Sequence, residues 1–187
     1  MRPQKIVDKD LLIALTSVFR AKGYEGASLK ELSEATGLKK ASLYHRFPNG
    51  KQEMAESVFN YMAQWVEENI FSALNDESFS PEVRLKNGLA QIKTLYAGGK
   101  EICILRALSM QAGMDLFEQN ISIGLTKWIN AFTEVGTALQ LSSEIAKEKA
   151  TQTLIEIQGS LILTKGLNDI TIFEKSLQNI ENRYLKT

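Results

Sequence analysis

The residues best suited to do chemistry in this chain lie between Ser28 and Lys51. In Lys39-Lys40-Ala41-Ser42-Leu43-Tyr44-His45-Arg46-Phe47, cations and hydroxyl donors crowd a single stretch, with Ser28, Lys30 and Lys51 beside it. At helical spacing Leu43 and Phe47, four apart, share a core-facing stripe with Leu32 and Ala35 of the preceding segment. Lys39, Lys40, Ser42, Tyr44 and Arg46 then project outward. Side chains of this kind suit phosphate oxygens and base edges. Each cation set against a phosphate strengthens binding and steepens its salt dependence. Lys51 opens the next helical segment and can meet the same nucleic-acid backbone. Its charge opposes the helix dipole at that point, a small local cost that a phosphate would offset.

Other chemistries fit poorly. His45 is the single histidine, so a metal site with an imidazole would need carboxylates for every other ligand. A catalytic triad would have to draw its base from the segment just described. No enzyme activity, metal site or cofactor is therefore expected. His45 reads either as a phosphate contact or as a solvated helix residue. Cys103, the one cysteine, sits in the apolar run Ile102-Cys103-Ile104-Leu105 and reads as buried packing. A redox-sensing thiol would instead need exposure and a lowered pKa.

The elements that must hold these residues can be read along the chain. It has 187 residues, 44% of them hydrophobic and 24% charged, enough for a folded core and unlike a disordered chain. No apolar run is long enough to span a membrane, no signal peptide is recognisable at the start, and the expected location is the cytoplasm. The formal net charge of zero hides an asymmetry: residues 1–51 hold ten Lys or Arg against five Asp or Glu, and residues 52–187 carry the compensating negative excess. A basic head on an acidic body suits a phosphate-binding module joined to a domain of another purpose.

The pattern is all-α. A first helix is expected over about Asp8 to Lys22, with Leu11, Leu12, Leu15, Val18 and Phe19 on one stripe and Gly23 as its end. Ser28-Leu29-Lys30-Glu31 forms a capping box that opens a second helix ending at Gly37. A third covers Lys39 to Phe47 and stops at Pro48-Asn49-Gly50. Two short helices joined by a tight turn containing Gly match a helix-turn-helix, whose second helix enters the major groove. Beyond Lys51, helices are expected over about Lys51–Ala73, Pro81–Tyr96, Glu101–Gln111, Met114–Glu118, Ile121–Leu139, Ser143–Lys165 and Asp169–Tyr184. The division this implies is 1–51 for DNA binding and 52–187 for a second, helical domain.

Gly23-Tyr24, Ser28-Leu29-Lys30-Glu31-Leu32, Gly37-Leu38 and Leu43-Tyr44-His45-Arg46-Phe47 together resemble the tetracycline-repressor (TetR) family of bacterial regulators. Pro48-Asn49-Gly50-Lys51 is similar to a subgroup whose DNA-binding domain ends in a Phe-Pro-x-Gly-Lys string. The resemblance covers about residues 8–60. It implies a homodimer on a pseudo-palindromic operator, usually acting as a repressor, with an effector cavity in the C-terminal helices and dimerisation through the last two long ones. By position Tyr44 and His45 match the family's phosphate contacts, and Lys51 its lysine at the start of the fourth helix. One departure is Lys39, which fills the N-cap slot where members often carry Ser or Thr.

Candidate effector contacts are the large adaptable side chains Met62, Trp65, Tyr96, Met110, Met114, Phe117, Trp128 and Phe132, which suit a hydrophobic or aromatic small molecule or else fill a dry core. In Ser143–Lys165, apolar residues cover too much circumference for a helix packed on one side, and Gly159 and Ser160 allow close approach. With the stripe Ile172, Phe173, Leu177, Ile180 and Tyr184 this points to a four-helix dimer bundle, or to simple closure of the monomer core. Two rivals to a ligand-released repressor remain at this point: an activator or ligand-independent DNA binder of the same fold, and a helical adaptor whose basic head binds an acidic protein.

Overall fold

The computed structural model describes residues 9–186, and every regular element among them is helical. In order these are α1 (Lys9–Gly26), α2 (Leu29–Thr36), α3 (Lys40–Arg46), α4 (Lys51–Val66), a π-helical turn (Glu67–Phe71), α5 (Ser72–Asn75), α6 (Pro81–Leu95), a 3-10 turn (Ala97–Gly99), α7 (Ile104–Leu108), α8 (Ala112–Ala138), α9 (Ser143–Leu167) and α10 (Thr171–Leu185). None of these helices is long and apolar enough to cross a membrane.

Two compact units divide the chain. The first takes the described residues up to Met62 together with Ile104–Ile121, and the second takes Ala63–Cys103 and the chain from Ser122 on. In the first unit Leu11, Leu15, Phe19, Leu32, Leu43, Phe47, Met54 and Val58 form the buried core. Full burial of such a side chain is worth about 1.5–3 kcal/mol. The segment 104–121 joins this unit because α7 packs against α1. Gly23 permits that approach: its φ is +70°, and a Cβ there would lie 3.1 Å from the Ala107 carbonyl oxygen.

In the second unit α10 packs on α9 and on α6. Phe71, Trp128, Phe132 and Tyr184 make a run of ring contacts, with successive centroids 5.5, 6.4 and 6.3 Å apart. Gly88 lets α6 close on Leu74, where a methyl group would overlap the leucine side chain. The nearly buried Arg84 is satisfied by its Nε–H, which donates to the Leu74 carbonyl at 2.6 Å. Ion pairs Lys86–Glu181, Lys93–Glu174 and Lys127–Glu67 lie on the surface of this unit.

Several expected boundaries are corrected. Gly23 breaks the helical backbone where expected, with φ +70° and ψ −176°, but a further helical turn follows to Gly26, so α1 is two helical pieces meeting at a kink. The helix expected over Lys51–Ala73 continues to Asn75 and carries the π turn, an inserted residue that hydrophobic spacing does not reveal. Met114–Glu118 and Ile121–Leu139 run together as α8, and the break expected between them falls instead at Phe117, where the backbone is non-helical with φ −121° and ψ 15°. The expected Glu101–Gln111 helix shrinks to Ile104–Leu108, since Gly98 and Gly99 hold positive φ before it and Gln111 does after it. Ala35 is exposed rather than core-facing, and Leu12 and Val18 are only half-buried. Asp8, Arg2 and Lys5, which entered the charge count, lie outside the described residues. Cys103 is buried, as packing would have it.

Candidate nucleic-acid interface

The interface is assembled from local chemistry first. At the start of α2, Ser28 is extended, and its Oγ accepts the Glu31 backbone N–H at 3.2 Å. The Glu31 carboxylate in return accepts from the Ser28 N–H at 3.0 Å and from its hydroxyl at 2.8 Å, so the capping box is complete. Lys22 reaches the other carboxylate oxygen at 3.3 Å. The Ser28 backbone N–H, then its hydroxyl, then Lys22 hold the Glu31 carboxyl down at about 2.

Gly37 ends α2 in the left-handed region with φ +67°, a conformation other residues resist. The turn that follows is tied by side chains: the Ser33 hydroxyl donates to the Leu38 carbonyl, and the Thr36 hydroxyl donates to the Leu32 carbonyl. Lys39 then takes the N-cap position of α3 in extended conformation with no side-chain cap bond. Its carbonyl accepts the N–H groups of Ser42 and Leu43, which starts the helix without help from a hydroxyl.

Only one stripe of α3 points inward. Leu43 is fully buried and Phe47, the residue that closes the helix, nearly so, while Lys39, Lys40, Ala41, Ser42, Tyr44, His45 and Arg46 are exposed. A helix exposed around so much of its circumference and studded with donors has the form needed to enter a groove. Tyr44 is set from behind by Gly50, whose φ is +67° and whose missing Cβ would meet the Tyr44 ring at 3.2 Å. The Asn49 N–H donates to Glu53 at 2.8 Å and so fixes the start of α4.

All eight sequence-chosen DNA contacts fall in the first unit. Ser28, Lys30, Lys39, Lys40, Ser42, Tyr44 and His45 are exposed. Lys30 has a long pairing of 3.8 Å with Glu34. Lys51 is half-buried, with its ammonium 4.6 Å above the centre of the Tyr24 ring and 3.4 Å from the Glu25 carbonyl oxygen. Tyr24 entered the sequence reading only in the Gly23-Tyr24 motif and Glu25 not at all by name, and no local signal links them to a lysine so far along the chain.

The eight candidate effector contacts are divided. Met62, Met110, Met114 and Phe117 belong to the first unit, and Trp65, Tyr96, Trp128 and Phe132 to the second. Phe117 is buried against Tyr24 and Phe59, at 5.3 and 5.2 Å. Tyr96 meets Phe173 edge-on at 6.0 Å, and Trp65 is half-buried. Met110 and Met114 lie at the surface, 64% and 44% exposed. Composition could not separate these two from the buried aromatics.

Comparison with known proteins agrees with this geometry. The family model described as "Bacterial regulatory proteins, tetR family" matches residues 11–58. The chain is 27% identical over 158 residues to the HTH-type transcriptional regulator LmrA of Bacillus subtilis, covering 82% of this chain and 84% of that one. Its fold is similar to that of a TetR transcriptional regulator from Legionella pneumophila, with a TM-score of 0.81 at 19% identity over 97% and 98% of the two chains. A TetR family regulator, CifR, solved as a cysteine mutant complexed with 26-base-pair double-strand operator DNA, matches with a TM-score of 0.76 at 22% identity over 99% of both chains.

Proposed function

We propose, from the premise that this chain is a DNA-binding transcriptional regulator of the TetR family, that it is a repressor released from its operator by a small apolar effector and that it works as a homodimer in the cytoplasm, where its DNA lies. The observation that carries the reading is α3, a short rod buried only along Leu43 and Phe47. Lys40 and Ser42, on its first turn, are assigned to base edges. Lys39, Tyr44, His45 and Lys51 are assigned to phosphates, with Ser28 and Lys30 meeting the backbone from α2. Phosphate contacts set affinity and register; base contacts set sequence preference.

Residues 1–51 are assigned to DNA binding and 52–187 to effector binding and dimerisation, a division by role. Support for the dimer comes from α9, whose buried face has Ile157 and Leu161 as its large apolar residues beside the small or polar Ala146, Ala150, Thr153, Ser160 and Thr164. Its exposed face carries Ile155, Ile162, Leu163 and Leu167. Nothing lies within 4 Å of where Gly159 or Gly166 would carry a Cβ. A helix that leaves so much aliphatic surface exposed is what a chain that pairs with its own copy would carry. For the effector, the four candidates of the second unit, Trp65, Tyr96, Trp128 and Phe132, are favoured over the exposed Met110 and Met114. An effector that prefers the state in which the two copies of α3 no longer match successive major grooves, about 34–36 Å apart, would release DNA.

Selection of random-sequence duplexes by the purified protein tests the reading. Two related half-sites one helical turn or a multiple apart should be enriched, with affinity falling steeply as salt rises. Recovery of no enriched sequence at low salt would defeat it. Release of the selected duplex by one member of a panel of small aromatic compounds tests the effector part.

A further inference from the structure

Lys51 and the first turn of α8 are distant in sequence, yet a single dipeptide, Tyr24-Glu25, holds both. Glu25 Oε1 accepts the Ala112 backbone N–H at 3.2 Å. This satisfies one of the donors that every helix leaves open at its N-terminus, and it puts negative charge where the helix dipole favours it. The carbonyl of the same residue accepts from Lys51 Nζ at 3.4 Å, and the Tyr24 ring lies beneath that ammonium. Tyr24 meets the buried Phe117 edge-on. The surroundings leave it little room, because a Cβ on Gly113 would sit 3.3 Å from the Tyr24 Cβ and 2.5 Å from the Leu108 carbonyl oxygen. On the other side the Ala107 carbonyl closes on Gly23.

We infer that Glu25 is a positioning residue for Lys51: its carboxylate pins the 24–25 backbone to the start of α8, and that backbone sets where the Lys51 ammonium stands. The perch consists of a neutral carbonyl and a ring face, which orient an ammonium without cancelling its charge. A lysine held in this way keeps its full charge for an incoming phosphate. The use of Lys51 on phosphate rests on the function proposed above, whereas the coupling of Glu25 to Lys51 can be measured without DNA.

The test is reductive methylation of lysine amines in the full chain, read by mass spectrometry, alongside amide hydrogen exchange at Ala112. In Glu25→Ala, Lys51 should label about two- to fivefold faster, the range a carboxylate at a helix N-terminus supplies. Exchange at Ala112 should also quicken, while labelling of the exposed Lys30 stays unchanged. Glu25→Gln, whose amide oxygen can still accept from Ala112 but carries no charge for the helix dipole, should fall between the parent and Glu25→Ala. If Glu25→Ala fails to fold, Glu25→Asp, one methylene shorter, carries the test. Faster exchange at Ala112 with unchanged Lys51 labelling would reduce Glu25 to a helix cap and overturn the coupling; no change in either would overturn it too. On a duplex carrying the selected site, Glu25→Ala and Lys51→Met should each weaken binding and the double variant should be no weaker than Lys51→Met. Additive losses would mean that the two act independently. If the labelling shifts as expected while the parent ignores DNA, the coupling stands and the proposed function falls.

Discussion

Helices α3 and α9 are both poorly covered by their own chain, and they differ in what they expose. The surface of α3 is cationic and hydroxylated, with Leu43 alone fully buried along its length. That of α9 is aliphatic over Ile155, Ile162, Leu163 and Leu167, while its inward side mixes threonine, serine and alanine with Ile157 and Leu161. Water solvates the first surface well and the second badly. On the proposed function the two meet different partners: a polyanion that replaces water at α3, and an apolar surface that excludes it at α9. Exposure alone does not identify a binding site. The chemistry of the exposed atoms does.

The sharpest way to break this comparison is to put a charge on α9. In the dimer reading, Leu163→Glu buries an unpaired carboxylate, a cost of about 3–5 kcal/mol. Sedimentation should then show monomer at concentrations where the parent is dimeric, with operator affinity falling by about two orders of magnitude or more. A variant that stays dimeric would remove α9 from the interface.

On α3 the expected effects are smaller. Tyr44→Ala should weaken binding to the selected duplex without altering its sequence preference. Lys40→Ala should change the preference at one position, at a cost of about 1–3 kcal/mol. If Lys40→Ala instead weakens every sequence equally and lowers the salt slope by about one, the residue belongs to the phosphate class.

Two further substitutions probe the frame behind α3. Gly50→Ala forces a side chain into the left-handed region, at about 1–2 kcal/mol, and pushes on the Tyr44 ring; urea unfolding should report the first effect and DNA titration the second. Ser28→Ala removes the α2 cap and should lower stability by about 1 kcal/mol with little direct effect on base preference.

The smallest effect is a pH dependence. Glu31 is held at about 2 in the fold, against an ordinary value of 4.5. A group depressed in this way adds stability that is complete above 4.5 and is lost as pH falls toward 2, because the unfolded chain binds the proton first. Glu31→Gln should flatten unfolding stability across that window. An unchanged acid limb would show that the cap contributes nothing measurable there.

How much was legible depended on the range of the interaction. The capping box at Ser28, the Gly37 turn, the inward stripe of Leu43 and Phe47 and the uncapped Lys39 could all be read from residues within four positions of one another. Ala35 was misjudged because its burial depends on which neighbour packs against α2. Met110 and Met114 were grouped with Phe117 and Trp128 because composition cannot distinguish a thioether at the surface from a ring in the core. The π turn after Val66 escaped because one inserted residue shifts the hydrophobic spacing only slightly.

By itself the amino-acid order determined that the chain is helical, where α2 and α3 begin and end to within a residue, and that a basic, donor-rich helix follows a glycine turn. These are short-range matters of capping, backbone freedom and periodicity, set by residues a turn or two away. Only the tertiary structure decided that 104–121 packs with the N-terminal helices, that Glu25 caps α8 and that α9 leaves Ile155, Ile162, Leu163 and Leu167 exposed. Those outcomes depend on competition among distant segments for the same buried area, and neither spacing nor composition records which segment wins.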